Sequence, residues 1–424
     1  MTKPLNPVIW LERVLRVKPD EWARLLIAFF YFFCLLSGYF MLRPIRDAIG
    51  AADDDNLPWL YTATFVSMLV LVPLFGYLVS NFKRSRFVPA VYLFFIVNIL
   101  LFAWLFREGM PDIWIQRIYY VWISVFNLFV VSIFWSFMAD IFRSSQAQRL
   151  FGTIAAGGSL GAILGPLVTG NIAESVGSSG LMITAAALIT TATLAAVYLG
   201  SHSGARDQEA RSGTVIGGSI WEGALKVFRS KYLILICLLM LLHNLTSTFL
   251  YNGMAVLVSE QISAEGAART IFFSNLNLAV NLIAFVLQFL VTSRIVSWLG
   301  MPKTIILMPL VLAAGMVVLG SSLTLVLFAS VQVAQRSLNY GLIGPIKEML
   351  FTVVDRATKY KSKNFIDTVI YRGSDVTASW LFKGLTVLGL SLGQIALIFI
   401  PVLAIWGYVG WQLGTLYTQK ASER

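Results

Sequence analysis

Charge is what this sequence has least of: Asp, Glu, Lys and Arg make up 12% of its 424 residues, about half the share of a soluble domain. With 58% hydrophobic residues beside it, that shortage excludes an ordinary water-soluble enzyme or binding module. Cysteine is also scarce: Cys34 and Cys237 both fall in long apolar runs, where they act as small apolar residues and support no disulfide framework. No Gly-rich phosphate loop ending in Gly-Lys-Ser/Thr, no zinc-ligand spacing and no serine elbow occurs, so ATP-driven pumping and hydrolysis lack their chemistry. The chain is therefore read as a non-enzyme, with no cofactor and no metal. No small-residue cleavage site precedes the first long apolar run, and Glu12, Asp20 and Glu21 stand before it, so the first helix is expected to stay attached.

What the sequence has in abundance is apolar windows of about twenty residues, each long enough to cross a hydrocarbon core of roughly 30 Å as a helix. They predict an all-α polytopic membrane protein of about twelve transmembrane helices. The spans are placed at 23–49, 57–79, 88–106, 119–142, 150–173 and 180–199, then 231–258, 270–292, 303–320, 323–345, 365–388 and 391–412. The expected organisation is an amphipathic surface segment over 1–22, a six-helix bundle over 23–199, a polar linker over 200–230, a second bundle over 231–412 and a tail over 413–424. The formal net charge of +11 is spread along the chain: Lys and Arg concentrate in the terminal segments and in alternate loops. That asymmetry marks the cytoplasmic side and argues against nucleic acid. It predicts a multi-pass bacterial inner-membrane protein with both termini cytoplasmic. Two six-helix halves about a polar linker match the layout of the major facilitator superfamily, in which the halves rock about a midplane site.

The loop after the second span, with Gly76, Lys83, Arg84 and Arg86, resembles the superfamily's loop between helices two and three, with Ser80 or Asn81 where an acidic residue is expected. In the fifth span, Gly152, Gly161, Gly165 and Pro166 reproduce the spacing of the motif associated with the superfamily's antiporters, and Gly157, Gly158 and Gly170 extend the small face. Small residues four apart let helix backbones approach closely, and Pro166 is expected to bend the helix. Simple close packing without gating is the alternative.

Three polar stretches resemble the ATP/ADP carrier family of plastids and intracellular bacteria. They are Leu42-Arg43-Pro44-Ile45-Arg46-Asp47; Phe134 to Asp140 running on through Arg143 to Gly152; and Gly344 to Met349 followed by Asp355, the Lys359, Lys361 and Lys363 cluster, and Phe365 to Asp367. By this resemblance the family's first-helix lysine falls on Arg46 and its fourth-helix glutamate on Asp140, so both charges persist while their shapes change.

Charges at helix centre cost on the order of 2.5–3.5 kcal/mol, so those present face a cavity, pair or act. Arg43 and Arg46 share one side of a helix and can present two planar forks to phosphate or carboxylate oxygens, with Asp47 as partner to either. An ion-paired helix end is the other reading. The candidate substrate ligands are Arg43, Arg46, Arg336, Lys383, Asn339, Asn244 and Tyr251; internal salt bridges are the alternative for Arg336 and Lys383. Gln332 and Gln335 extend the Arg336 stripe, and His243 is read as packing before proton relay. Asp140 with Arg143 and Arg149, and Glu348 with Lys347 and Arg356, occupy similar places in the two halves and are expected to serve as gate latches.

Together these features predict a secondary transporter working by alternating access, exchanging an anionic phosphorylated solute such as a nucleotide. Proton-coupled transport of another organic anion is the alternative, and a non-transporting membrane partner that binds lipid or protein is the alternative from a different class. The expected partners are an anionic small molecule and membrane lipid, with the chain acting as a monomer.

Overall fold

The computed structural model describes residues 17–81, 84–202, 225, 227–355, 358, 362–363 and 365–423. Most of the expected amphipathic surface segment and of the polar linker, together with Lys359 and Lys361, lies outside the described residues. Those described are almost wholly helical, and no strand occurs among them. Helix α1 is Trp22–Ala52, α2 Leu57–Asn81, α3 Arg84–Leu105 and α4 Ile113–Ile141. An apolar stretch of 53 residues follows, Arg149–Ser201. As one straight helix it would be roughly 80 Å long, more than twice the hydrocarbon thickness. It breaks at Gly177, whose φ of 63° suits a residue without Cβ. The break gives α5 (144–176) and α6 (178–202). It falls at Gly177, and Pro166 lies inside the helix before it.

Helix α7 is Lys231–Gln261. Helix α8 starts at Ala268 and ends before Gly300, where a φ of 71° turns the chain into α9 (301–321). Helix α10 runs Leu325–Leu338 and on to Leu350; α11 ends with Tyr371–Val387, and α12 is Leu392–Ser422. Five-residue π turns interrupt three of these helices: Leu287–Val291 in α8, Asn339–Ile343 in α10 and Ile366–Ile370 at the head of α11. Among the described residues ten passes stand out by hydropathy once the two double spans are divided; α10 and α11 are the polar pair that completes twelve.

The described residues form two compact units. The first holds residues 17–49, 71–202 and 265–278, and the second holds 50–70, 225–264 and 279–423. The start of α2, as far as Val70, thus belongs with the later helices, and the start of α8 belongs with the earlier ones. Large exposed side chains such as Leu93, Phe94, Trp104, Leu194 and Tyr408 are apolar or aromatic, as a lipid-facing surface requires.

Within the first unit, α5 lies against α1 at backbone contact. A Cβ at Gly157, Gly161 or Gly165 would stand 2.4, 2.4 and 2.7 Å from the carbonyl oxygens of Phe29, Phe33 and Ser37 respectively. Glycines four apart on one helix therefore meet carbonyls four apart on the other. Gly152 meets open space, so the start of this contact is Gly157. Pro166 contributes its carbonyl, which accepts the Ser274 hydroxyl at 2.6 Å.

Candidate functional site

Arg43, Arg46 and Asp47 sit on the last turns of α1, with Arg46 roughly 9 Å along the axis from the end at Ala52. Asp47 is 1% exposed and contacts both cations: Arg43 Nε at 3.7 Å and Arg46 at 3.4 Å. The Arg46 guanidinium also donates to the Tyr120 hydroxyl at 3.0 Å and lies 4.2 Å from the centre of that ring. Tyr120 is on α4, roughly 10 Å from its start at Ile113, so the cluster is below the helix ends and not at them. The buried Tyr119 hydroxyl donates to the Leu42 carbonyl at 3.0 Å and ties α4 to the α1 backbone just before the arginines. Two fixed positive charges thus contact one buried carboxylate on a helix pass. The side chains of Arg43 and Arg46 retain 15% and 16% exposure.

In the second unit the buried polar stripe of α10 comprises Gln332, Gln335, Arg336 and Ser337, with Asn339 half-buried at the start of its π turn. Helices α7 and α11 are joined by polar contacts one turn apart. Asn244 donates to the Tyr371 carbonyl at 2.9 Å, Thr248 to Asp375 at 3.3 Å and Asn252 to Ser379 at 2.9 Å. Asn244, expected among the ligands, thus gives its N–H to the neighbouring backbone. His243 is buried edge-on to Trp406, with ring centres 5.4 Å apart.

Several pairings differ from those expected. Arg149 makes a two-pronged contact with Glu21, at 2.8 and 3.1 Å, and Gln146 donates to the same carboxylate at 3.0 Å. Asp140 and Arg143 are exposed at the end of α4. The physical reason is proximity: Glu21 stands immediately before α1, which α5 follows closely along its glycine face. Lys347 pairs with Asp367, and Glu348 takes Lys363 at 2.6 Å, because the head of α11 returns beside the end of α10. Arg356 lies outside the described residues. Glu21→Gln is expected to lower the melting temperature of detergent-solubilised protein, though by less than changes at Asp47, since Arg149 retains access to water; a rise would contradict this.

Lys383, expected from the sequence as a substrate ligand or an internal salt-bridge partner, stands one turn from the end of α11 and binds Asp55 at 2.5 Å. Around this pair Asp54 accepts the Ser259 hydroxyl at 3.2 Å, Trp380 donates to Thr62 at 3.2 Å, Trp59 meets Trp380 edge-on at 5.0 Å, and Tyr61 meets Tyr251 at 6.1 Å. The start of α2 is thereby latched to α7 and α11 within the second unit. With Asp55 83% exposed, the ion pair is worth at most about 1 kcal/mol, so the latch can open. Sequence reasoning misses Glu21, Tyr119, Tyr120, Ser259 and Asp55 as members of these clusters. The one clue to Asp55 is the Asp53-Asp54-Asp55 run in the short loop after the first span.

Among the described residues no group of three or more His, Cys, Asp or Glu is placed to hold a metal ion. Among curated proteins the chain finds no sequence match. Solved structures do match its fold. A bacterial homolog of the human lysosomal transporter Spinster is 11% identical with a TM-score of 0.63, the coverage being 95% of this chain and 99% of that one. The POT family transporter PepTSo is 12% identical with a TM-score of 0.65, covering 95% and 99%. The nucleoside transporter NupG is 12% identical with a TM-score of 0.64, covering 94% and 98%. The family model of the Major Facilitator Superfamily matches residues 51–346, well over half of the sequence. The chain is a multi-pass membrane protein that belongs to the Major Facilitator Superfamily.

Proposed function

We propose that this chain is a secondary transporter that exchanges an anionic, phosphorylated solute, with nucleotides of the ATP/ADP type as the first candidates. The observation behind this is the Arg43–Arg46–Asp47 cluster: two guanidiniums against one carboxylate, set into a membrane pass and still partly exposed. A charge in such a place is retained for function more often than for stability. A planar guanidinium meets phosphate oxygens through two parallel N–H donors, a geometry that a neutral solute does not use. The resemblance of the first-helix, fourth-helix and tenth-helix motifs to the ATP/ADP carriers supports the same substrate class. Membership of the family supports alternating access, and the weak Asp55–Lys383 latch is of the kind that separates when a pass rearranges.

Counterflow in liposomes tests this directly. Proteoliposomes loaded with unlabelled ADP are expected to take up labelled ATP or ADP without a pH gradient, and Arg46→Gln to reduce the rate by more than about tenfold, the scale of one lost charge-assisted hydrogen bond. Uptake that follows only a pH gradient would instead indicate proton-coupled transport. No flux of any anion would leave a membrane binding partner.

A further inference from the structure

An open cleft of about 430 Å³ lies in the second unit, where the start of α7, the segment after α10 and the last turns of α12 meet. Arg229 and Lys420 line it together with Asp355 and Thr358. Lys420 follows Trp406, Val409 and Leu413 on one stripe of α12, and its own side chain is exposed. Its ammonium stands 5.9 Å from the centre of the Tyr232 ring. That ring is held in place because its hydroxyl donates to the buried Leu350 carbonyl at 2.7 Å. Asp355 already accepts the Thr358 N–H at 2.8 Å. Neither Arg229 nor Lys420 is ion-paired to a carboxylate among the described residues, and the two cations exceed the lining carboxylate by one charge.

A second observation concerns what lies beside these cations. Leu225 and Phe228, just before Arg229, are 53% and 69% exposed, while Val227 between them is buried. Large apolar side chains next to cations at the end of a membrane helix fit the boundary between headgroups and acyl chains. Lys231 follows at the start of α7, and cations at a helix end favour an anionic leaflet. We propose that this cleft holds the phosphate of an anionic phospholipid headgroup, with Arg229 and Lys420 on the phosphate and Phe228 against the chains. The site is separate in sequence from the arginine pair and does not depend on the transported substrate.

The full chain in nanodiscs, examined by native mass spectrometry, tests it. Wild type is expected to retain phosphatidylglycerol over phosphatidylcholine, and the Arg229→Gln/Lys420→Gln double variant to lose that preference by at least about tenfold. The charge-preserving Arg229→Lys/Lys420→Arg variant should keep it. An unchanged melting temperature in phosphatidylcholine discs establishes that the double variant is folded. Equal retention of phosphatidylglycerol by wild type and double variant would overturn the proposal. So would inorganic phosphate stabilising the wild type as strongly as phosphatidylglycerol does, which would assign the cleft to a soluble anion.

Discussion

Asp47→Asn is expected to lower the stability of the protein by about 3–5 kcal/mol, the scale of a buried charge pair that loses one partner. Asp47 is the carboxylate in contact with both Arg43 and Arg46, and at 1% exposure it cannot be replaced by water. Removing it takes the shared carboxylate away from two guanidiniums in a membrane pass. The loss would appear as a fall in melting temperature in detergent or as a lower yield of folded monodisperse protein. Removing all three charges in Arg43→Gln/Arg46→Gln/Asp47→Asn is expected to recover much of that loss while abolishing transport, because a neutral buried set needs no counter-charge. A loss below about 1 kcal/mol for Asp47→Asn alone would mean that both arginines are already solvated, the behaviour of an exposed ion pair.

Gly161→Ala is expected to be the next most costly change, about 1–3 kcal/mol for one added carbon. The new Cβ would stand 2.4 Å from the Phe33 carbonyl oxygen and 2.9 Å from the Ser37 backbone nitrogen, neither of which can rotate away. Gly152→Ala on the same helix meets nothing within 4 Å and should be neutral or slightly stabilising, since alanine is the better helix former. Melting temperatures of the two variants side by side give the comparison. Equal effects would mean that the α1–α5 contact is looser than its geometry.

The membrane fold is legible in the sequence because hydropathy is a local property. Spans such as 57–79 and 303–320 fall inside α2 and α9, and the two glycine breaks lie where the apolar run exceeds one bilayer thickness. Helix ends are harder to read: α12 continues to Ser422, about ten residues beyond its expected end, because Leu416, Gln419, Lys420 and Ala421 are good helix formers in a stretch of low hydropathy. Pairings are not legible. Arg149 finds Glu21, 128 positions away, and Lys383 finds Asp55, 328 positions away. Nothing in local spacing distinguishes these partners from the nearer Asp140 or from a substrate. The arginine cluster is readable on α1 because Arg43, Arg46 and Asp47 are neighbours on one helix, whereas Tyr119 and Tyr120 enter only through the packing of α4 on α1.

Transport of a phosphorylated solute requires that the arginine pair on α1 meet its phosphates. Affinity of the purified protein for a nucleoside and for its mono-, di- and triphosphates, compared between wild type and Arg43→Gln/Arg46→Gln, measures that contact. Wild-type affinity is expected to rise with each added phosphate, and the double variant to flatten the series while leaving the nucleoside itself little changed. A series already flat in the wild type, or one equally steep after both arginines are removed, would rule the contact out.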